Sequence, residues 1–485
     1  AGSQGIDILK GENFDSPQKP FGGDEDYIWS PDSKSIVYVC KKKAGTAYAI
    51  STNTDIFEYN LATKKTINRT ESNLGYNVAP QISPSGDLTW LQMKRDGYEA
   101  DKNDIVVSFK GIDMNLTANW DGTVDSYQWS DDGSKVYFIA AIDGTKQLFE
   151  VNFPGMTRIA INVQQITKGN FDVNGIVGFS GSKVIVTRGD MNHAAEIYSY
   201  DLKKKDWKQI SNINTEDYKS LALSKTERRY VTTTDGKKML VWVILPPNFD
   251  ASKKYPTLLY CQGGPQSALT QSYSFRWNFQ LMAANGYIVV APNRRGMPGH
   301  GVEWNEQISG DWGGQVMQDY LSAIDDVAKE KYVDKDRLGC VGASYGGYSA
   351  FYLAGIHKNR FKTFIAHDGV FNTQSMFGTT EEVFFNNWDF GGAYWEKDNK
   401  VAQKTYNEFN PITLVKNWNA PILIVQGGKD FRVPIGQSLE AFQAAQLLGI
   451  KSRLVYFPEE NHWVLKPQNA IVWQGEFFKW LKETL

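Results

Sequence analysis

A motif that returns about every 50 residues governs what the first half of this chain can become. It joins an aromatic or aliphatic residue, a serine, a polar turn and an alternating strand. Copies stand at Trp29-Ser30, Ile82-Ser83, Trp129-Ser130 and Phe179-Ser180, with steps of 53, 47 and 50 residues between the serines. Further strands of period-2 alternation follow at 55–59, 147–151 and 196–200. Copies close on an aliphatic residue and a small hydroxyl, as in Leu116-Thr117, Ile166-Thr167 and Ile210-Ser211. Units of this length with four short strands each are the mark of propeller blades. A β-sandwich is the alternative, but it has no reason to repeat one turn in register. Four copies are complete, and Ile6 to Gly11 reads as the last strand of an earlier blade. The propeller is therefore expected to be N-terminally incomplete, with further blades upstream in the natural protein. Ala1 in place of methionine fits a processed product or a shortened chain.

The repeat stops near residue 225, and from Pro256 onward strands and helices alternate. Apolar runs at 257–261, 287–291, 337–341, 362–366, 421–425 and 452–457 read as buried parallel strands. Helical runs fall at 314–329, 345–357, 437–448 and 468–485. The expected organisation is a propeller over 1–225 and a doubly wound, mostly parallel α/β-hydrolase domain over 226–485. A chain of 485 residues exceeds one ordinary core, so two domains are required on length alone.

A net charge of −2 supplies no basic footprint for nucleic acid. No apolar run is long enough to span a bilayer, and Ala1 to Gly5 carries no signal peptide. Three cysteines, Cys40, Cys261 and Cys340, make no disulfide framework and no metal-ligand spacing. Cys261 and Cys340 read as small buried hydrophobes. No cofactor and no metal are expected.

Chemistry enters at Gly342-Ala343-Ser344-Tyr345-Gly346, a G-x-S-x-G pentamer. The pentamer alone is a weak signal, but it sits between an apolar strand and a helical run, where a strained serine needs glycine neighbours. Serine is a poor nucleophile without a base, and this fold orders the residues serine, acid, histidine. Of five histidines, His193 and His300 precede Ser344, and His357 and His367 fall on the following helix and strand end. His462 alone lies in a loop after the last strand and is the expected base. Asp430, in Gly427-Gly428-Lys429-Asp430 after the preceding strand, is the expected acid. Oxyanion donors are expected from the backbone of Tyr345 and of Gly264 in Gln262-Gly263-Gly264-Pro265, with Gly263 as the alternative.

On these motifs the chain resembles the prolyl oligopeptidase family of serine peptidases, in its acylaminoacyl peptidase and dipeptidyl peptidase V branch. Asp235-Gly236, Asn293 to Gly296, Gly310 to Gly313, Gly342 to Tyr348, Gly428 to Pro434 and the His462 loop carry the likeness. The resemblance implies a propeller that admits short peptides only. It implies that Arg432, in Asp430 to Pro434, binds a substrate carbonyl. It also implies that Val370, Phe371, Met376 and Phe377, with Val433, line the first specificity pocket, core packing being the alternative for the apolar four. Asn293, Arg294 and Arg295 read as structural anchors of the loop beside the nucleophile. Asn461 and Trp463 flank His462 where many relatives carry glycine, and the adjacent pair Glu381-Glu382 lies in the hydrolase rather than in the propeller. The expected activity is release of dipeptides or acylated residues from the N-terminus of short peptides through an acyl-enzyme on Ser344. A carboxylesterase and a non-catalytic propeller binding module are the rival readings. Short peptides are the expected partners, with a homodimer left open. A periplasmic or secreted location is expected, with the cytoplasm left open.

Overall fold

The computed structural model describes residues 5–18, 22–155 and 161–485; Ala1 lies outside the described residues. The repeats form four consecutive four-stranded antiparallel sheets, each a simple meander. Their strands are Tyr27–Trp29, Ser35–Cys40, Asp55–Asn60 and Thr66–Asn68 in the first, and Asn77–Ile82, Leu88–Gln92, Asp104–Phe109 and Ile112–Asn115 in the second. Ser126–Trp129, Lys135–Ile142, Thr145–Asn152 and Val163–Gln165 make the third, and Asp172–Ser180, Lys183–Asp190, His193–Asp201 and Asp206–Gln209 the fourth.

The repeated residues explain the repeated shape. In the first three copies the serine oxygen closes the first hairpin, accepting the N–H of Ser35 (2.9 Å), Asp87 (2.9 Å) and Lys135 (3.1 Å). The terminal hydroxyl accepts an N–H of the third strand: Thr117 from Ile105 (3.0 Å), Thr167 from Leu148 (2.9 Å) and Ser211 from Ile197 (2.8 Å). Thr70 does the same for Ile56 (3.0 Å), a copy the sequence motif does not reveal. The serine bonds, four or five residues long, close the turn by giving a backbone donor a local acceptor, and the terminal hydroxyls, 12 to 19 residues away, do the same for a strand donor.

The segment expected to be a remnant strand is not one. Residues 6–11 form a turn in which Asp7 Oδ1 takes the Leu9 N–H (2.9 Å), and Ile8 and Leu9 pack on Tyr38, Cys40 and Phe57. Among the described residues no strand pairs with this segment, and part of its backbone is satisfied locally by the Asp7 side chain.

The second half holds one eight-stranded sheet. Its strands are β1 (Lys225–Thr232), β2 (Lys238–Leu245), β3 (Tyr255–Cys261), β4 (Ile288–Pro292), β5 (Val333–Ala343), β6 (Thr363–His367), β7 (Ile422–Gly427) and β8 (Ser452–Phe457). The spatial order is β1-β2-β4-β3-β5-β6-β7-β8. β2 runs antiparallel to its neighbours, and all pairings from β4 to β8 are parallel. The six parallel strands are the six apolar runs of the sequence; β1, polar over most of its length, and β2, an apolar run over Met239–Leu245 beside a boundary rich in turn residues, are not among the strands expected. Cys261 and Cys340 are fully buried in β3 and β5. Helices Gln315–Val327, Tyr345–Ile356, Gly436–Leu447 and Pro467–Thr484 connect or cover the strands.

Compactness divides the chain elsewhere than at 225. One unit comprises Ala1–Phe138 and Phe149–Gln165, and the other Ile139–Leu148 and Ile166–Leu485. Within the second unit the fourth small sheet is tied to the hydrolase loops. Buried Asp172 accepts the Gln271 N–H (3.2 Å) and the Thr270 hydroxyl, and Gln280 donates to Ser224 Oγ.

Candidate active site

β5 ends in the G-x-S-x-G pentamer, and Ser344 caps the helix Tyr345–Ile356 with φ 58° and ψ −122°. The turn is possible because its flanks have no side chains. A Cβ on Gly342 would lie 2.5 Å from the Gly346 oxygen, one on Gly346 2.0 Å from the Cys261 oxygen, and one on Gly347 2.6 Å from Gly369. The Ser344 N–H is held twice, by the His367 carbonyl (2.9 Å) and by Asp368 Oδ1 (2.7 Å). The nucleophile is thus pinned to the carboxyl end of β6 as well as to its own strand.

Ser344 Oγ lies 3.0 Å from His462 Nε2, and His462 Nδ1 lies 2.7 Å from Asp430 Oδ2. Asp430 is 3% exposed and its other oxygen accepts the N–H groups of Arg432 (3.0 Å) and Val433 (2.9 Å). The loop that carries His462 is held by buried Glu460, which accepts the N–H groups of Leu465 (3.0 Å) and Lys466 (3.2 Å). Trp463 donates its N–H to Asn461 Oδ1 (2.9 Å), so the two residues that flank His462 in place of glycine bond to each other. Burial lowers the proton affinity of His462; the charge of Asp368, then the hydrogen bond and charge of Asp430, outweigh it and hold the imidazole above its ordinary value. Asp368, Asp430 and His462 bring ligand atoms within 4.8 Å of one another, but Nδ1 is already committed to Asp430, which makes this an acid–base cluster.

Tyr345, whose N–H follows the nucleophile, is buried and bonds through its hydroxyl to the Trp312 carbonyl (2.9 Å). Gly264 has φ +56°, and a Cβ on Gly263 would stand 2.8 Å from the Ala343 oxygen and 3.3 Å from Ser344 Cβ. Both glycines therefore belong to a loop whose backbone abuts the nucleophile. Arg294, fully buried, clasps that loop from behind: its guanidinium donates to the carbonyls of Gln262 (3.3 Å), Gly264 (3.4 Å) and Pro265 and rests on the Tyr345 ring. Arg295 pairs with Asp235 (2.6 Å) and lies 3.6 Å from Asp319. Asn293 is buried beside them.

The remaining expected residues divide. Arg432 Nε pairs with buried Glu382 (2.7 Å) and its guanidinium lies 5.1 Å from the centre of the Trp463 ring. Val370, Phe371, Met376, Phe377 and Val433 are between 1% and 7% exposed and belong to the main core cluster with Trp312, Tyr345 and Tyr348. As they stand, these five pack the core. His357 bonds Asn419 (2.9 Å) at the end of its helix, and His367 packs between Trp277 and Trp473.

Sequence reasoning missed three groups. Asp368 directly follows β6, a strand-end position at the edge where α/β sheets bind ligands, and that placement was the available signal. Glu382 shows in the sequence only as half of an acidic pair. Asp389 is fully buried and gathers Gln266 Nε2 (3.0 Å), Ser309 Oγ (3.1 Å) and Trp312 Nε1 (3.2 Å); burial pushes its carboxyl up to about 6.

Comparison with known proteins agrees with this architecture. Residues 22–256 match the TolB beta propeller domain and residues 273–485 the prolyl oligopeptidase family. Dipeptidyl-peptidase 5 of Porphyromonas gingivalis is 46% identical over 486 residues, covering 99% of this chain and 70% of the relative. Dipeptidyl-peptidase 5 of Schizosaccharomyces pombe is 32% identical, covering 98% of this chain and 68% of the relative. Among solved structures, Pyrococcus horikoshii acylaminoacyl peptidase shares the fold with a TM-score of 0.80 at 20% identity, over 95% of this chain and 70% of its own. Porphyromonas gingivalis dipeptidyl peptidase 4 does so with a TM-score of 0.73 at 16% identity, over 100% of this chain and 65% of its own. With relatives at 46% and 32% identity aligned over more than two thirds of their length and the catalytic half matching the family model, this chain is a serine peptidase of the prolyl oligopeptidase family.

Proposed function

We propose that the protein is an exopeptidase that removes dipeptides from the N-terminus of short peptides, with Ser344 as nucleophile, His462 as general base and Asp430 as its orienting acid. The observation that carries this reading is the unbroken chain of contacts from Ser344 Oγ through His462 to Asp430. Ser344 Oγ attacks the scissile carbonyl while its proton passes to Nε2, and the imidazolium returns that proton to the leaving amine. The tetrahedral oxyanion is received by the N–H of Tyr345 and that of Gly264, or of Gly263 beside it. Water then repeats the sequence on the acyl-enzyme. Arg432, steadied by Glu382, is read as the cation for a substrate carbonyl, and Val370, Phe371, Met376, Phe377 and Val433 as the wall against which a small or hydrophobic side chain would seat.

The dipeptide specificity is supported by the relatives named dipeptidyl-peptidase 5. Turnover of dipeptidyl, acyl-aminoacyl and simple acyl ester chromogens tests it directly. Dipeptidyl substrates are expected to lead; preference for acyl-aminoacyl substrates would replace the dipeptide with an acylated residue, and activity on esters alone would make the protein a carboxylesterase. Ser344→Ala should lower kcat by roughly 10⁶-fold, and turnover retained by that variant removes the mechanism.

A further inference from the structure

We infer that Asp368 is a second carboxylate partner of His462, a positioning residue that ties the nucleophile's backbone to the base and shares with Asp430 the stabilisation of the imidazolium. The inference rests on the reading of Ser344, His462 and Asp430 given above.

Asp368 follows β6 and is 1% exposed. Its φ of 41° lies in the left-handed region, which few residues with a side chain adopt although aspartate does so more readily than most, and here packing adds a constraint. The constraint is visible next door, where a Cβ on Gly369 would meet the Gly347 carbonyl carbon at 2.5 Å. Such a backbone is kept where the surroundings over-determine it, commonly at functional sites. Each carboxylate oxygen then has a distinct neighbour. Oδ1 accepts the Ser344 N–H at 2.7 Å, and Oδ2 stands 3.6 Å from His462 Nδ1 and 3.4 Å from His367 Nε2. Asp430 Oδ2 reaches the same Nδ1 at 2.7 Å. One edge of the imidazole therefore faces two acids.

When His462 takes the Ser344 proton, a cation forms where water is nearly absent, and an anion a few ångströms away stabilises it far more than it would in solvent. Asp368 takes up no proton in this step. Its charge favours the imidazolium, while its bond to the Ser344 N–H keeps the hydroxyl in reach of Nε2. The other charged groups that act on His462 are Arg432, which opposes its protonation, and Glu382, which Arg432 partly neutralises. His367 is buried, and burial favours its neutral form. The charge of Asp368 also acts on Arg276, partly offsetting the burial that lowers that guanidinium's proton affinity. Should Asp430 be lost, a shift of under about 1 Å would bring Asp368 Oδ2 within hydrogen-bond range of Nδ1.

The test is the pH dependence of kcat/KM on the best chromogenic substrate for the wild type, Asp368→Asn, Asp430→Ala and the double variant. The amide oxygen introduced by D368N can still accept the Ser344 N–H, so the elbow is preserved while the charge is removed. D368N is expected to move the acid limb down by about one pH unit, with kcat lowered about tenfold. D430A is expected to lose about 10²-fold, with the double variant falling to the roughly 10⁴-fold loss that follows when a triad acid is disabled. The position of a pH limb does not depend on how much of a variant is folded. An acid limb that stays in place in D368N, or a full 10⁴-fold loss in D430A alone, overturns the inference. If S344A is inactive in the same assays, such a result leaves the triad reading intact; turnover by S344A would end both.

Discussion

Ser344 and Gly346 show how little freedom a single position has here. A methyl group on Gly346 would fall 2.0 Å from the Cys261 carbonyl, which is backbone and cannot swing aside. Gly346→Ala is therefore expected to displace the elbow and cost more than about 3 kcal/mol of stability, read as a lowered Tm together with loss of fluorophosphonate labelling at Ser344. At His462 the sign of the pH effect follows from which form is reactive. Only neutral imidazole can accept the Ser344 proton, and the two carboxylates hold its pKa above 6.5. Activity should rise with pH through a value above 6.5, and a profile of kcat/KM against pH measures it.

Loops and strand ends set the rest of the geometry. Arg294 holds three carbonyls of the Gln262–Pro265 loop with a charged, planar donor set, which orients the peptide planes that face the nucleophile. Arg294→Met should lower kcat by about 10²-fold with a smaller effect on KM, since an oxyanion donor acts in the transition state. Asp389 anchors the same loop through Gln266 and sustains a buried charge at neutral pH. Its folded value of about 6 lies above the ordinary 3.8, so the folded chain keeps the proton longer than the unfolded one and wild-type stability falls as pH rises from about 4 to 6. Asp389→Asn keeps an acceptor for all three donors without the charge. Its advantage in stability over the wild type should grow across that window to the order of 3 kcal/mol and level off above about pH 6, as Tm differences at about pH 4, 5, 6 and 8 would show.

For the whole molecule, the division into compact units bears on how the chain comes apart. Residues 166–224 belong with the hydrolase sheet, through Asp172 and the Thr270–Gln271 backbone among others. Limited proteolysis is expected to leave a resistant fragment that begins at or before residue 166; a fragment that begins near Lys225 would contradict this. Much of the architecture is legible in the sequence for a plain reason. Blade hairpins announce themselves through a serine and an alternating strand, parallel strands through short apolar runs between turn residues, and the elbow through a pentamer at a strand-to-helix junction. Chain order then singles out Asp430 and His462 among many acids and five histidines. β1 escapes because Lys225–Thr232 is largely polar and lies at the sheet edge against β2; β2 does show as the apolar run Met239–Leu245, and only its antiparallel place between β1 and β4 is decided by the tertiary structure. The strand expected over 6–11 gives way to a turn in which Asp7 takes the Leu9 N–H and Ile8 and Leu9 pack on Tyr38, Cys40 and Phe57.

Local periodicity, punctuation and residue order were enough to determine two kinds of fold in sequence and the three residues around which the chemistry is read. Only the tertiary structure decided that Asp368 stands beside His462, that Glu382 holds Arg432 and that Arg294 grips the loop next to Ser344. Those are pairings of buried charged and polar groups contributed by separate strands and loops, and their strength comes from exclusion of water, which no run of neighbouring residues encodes.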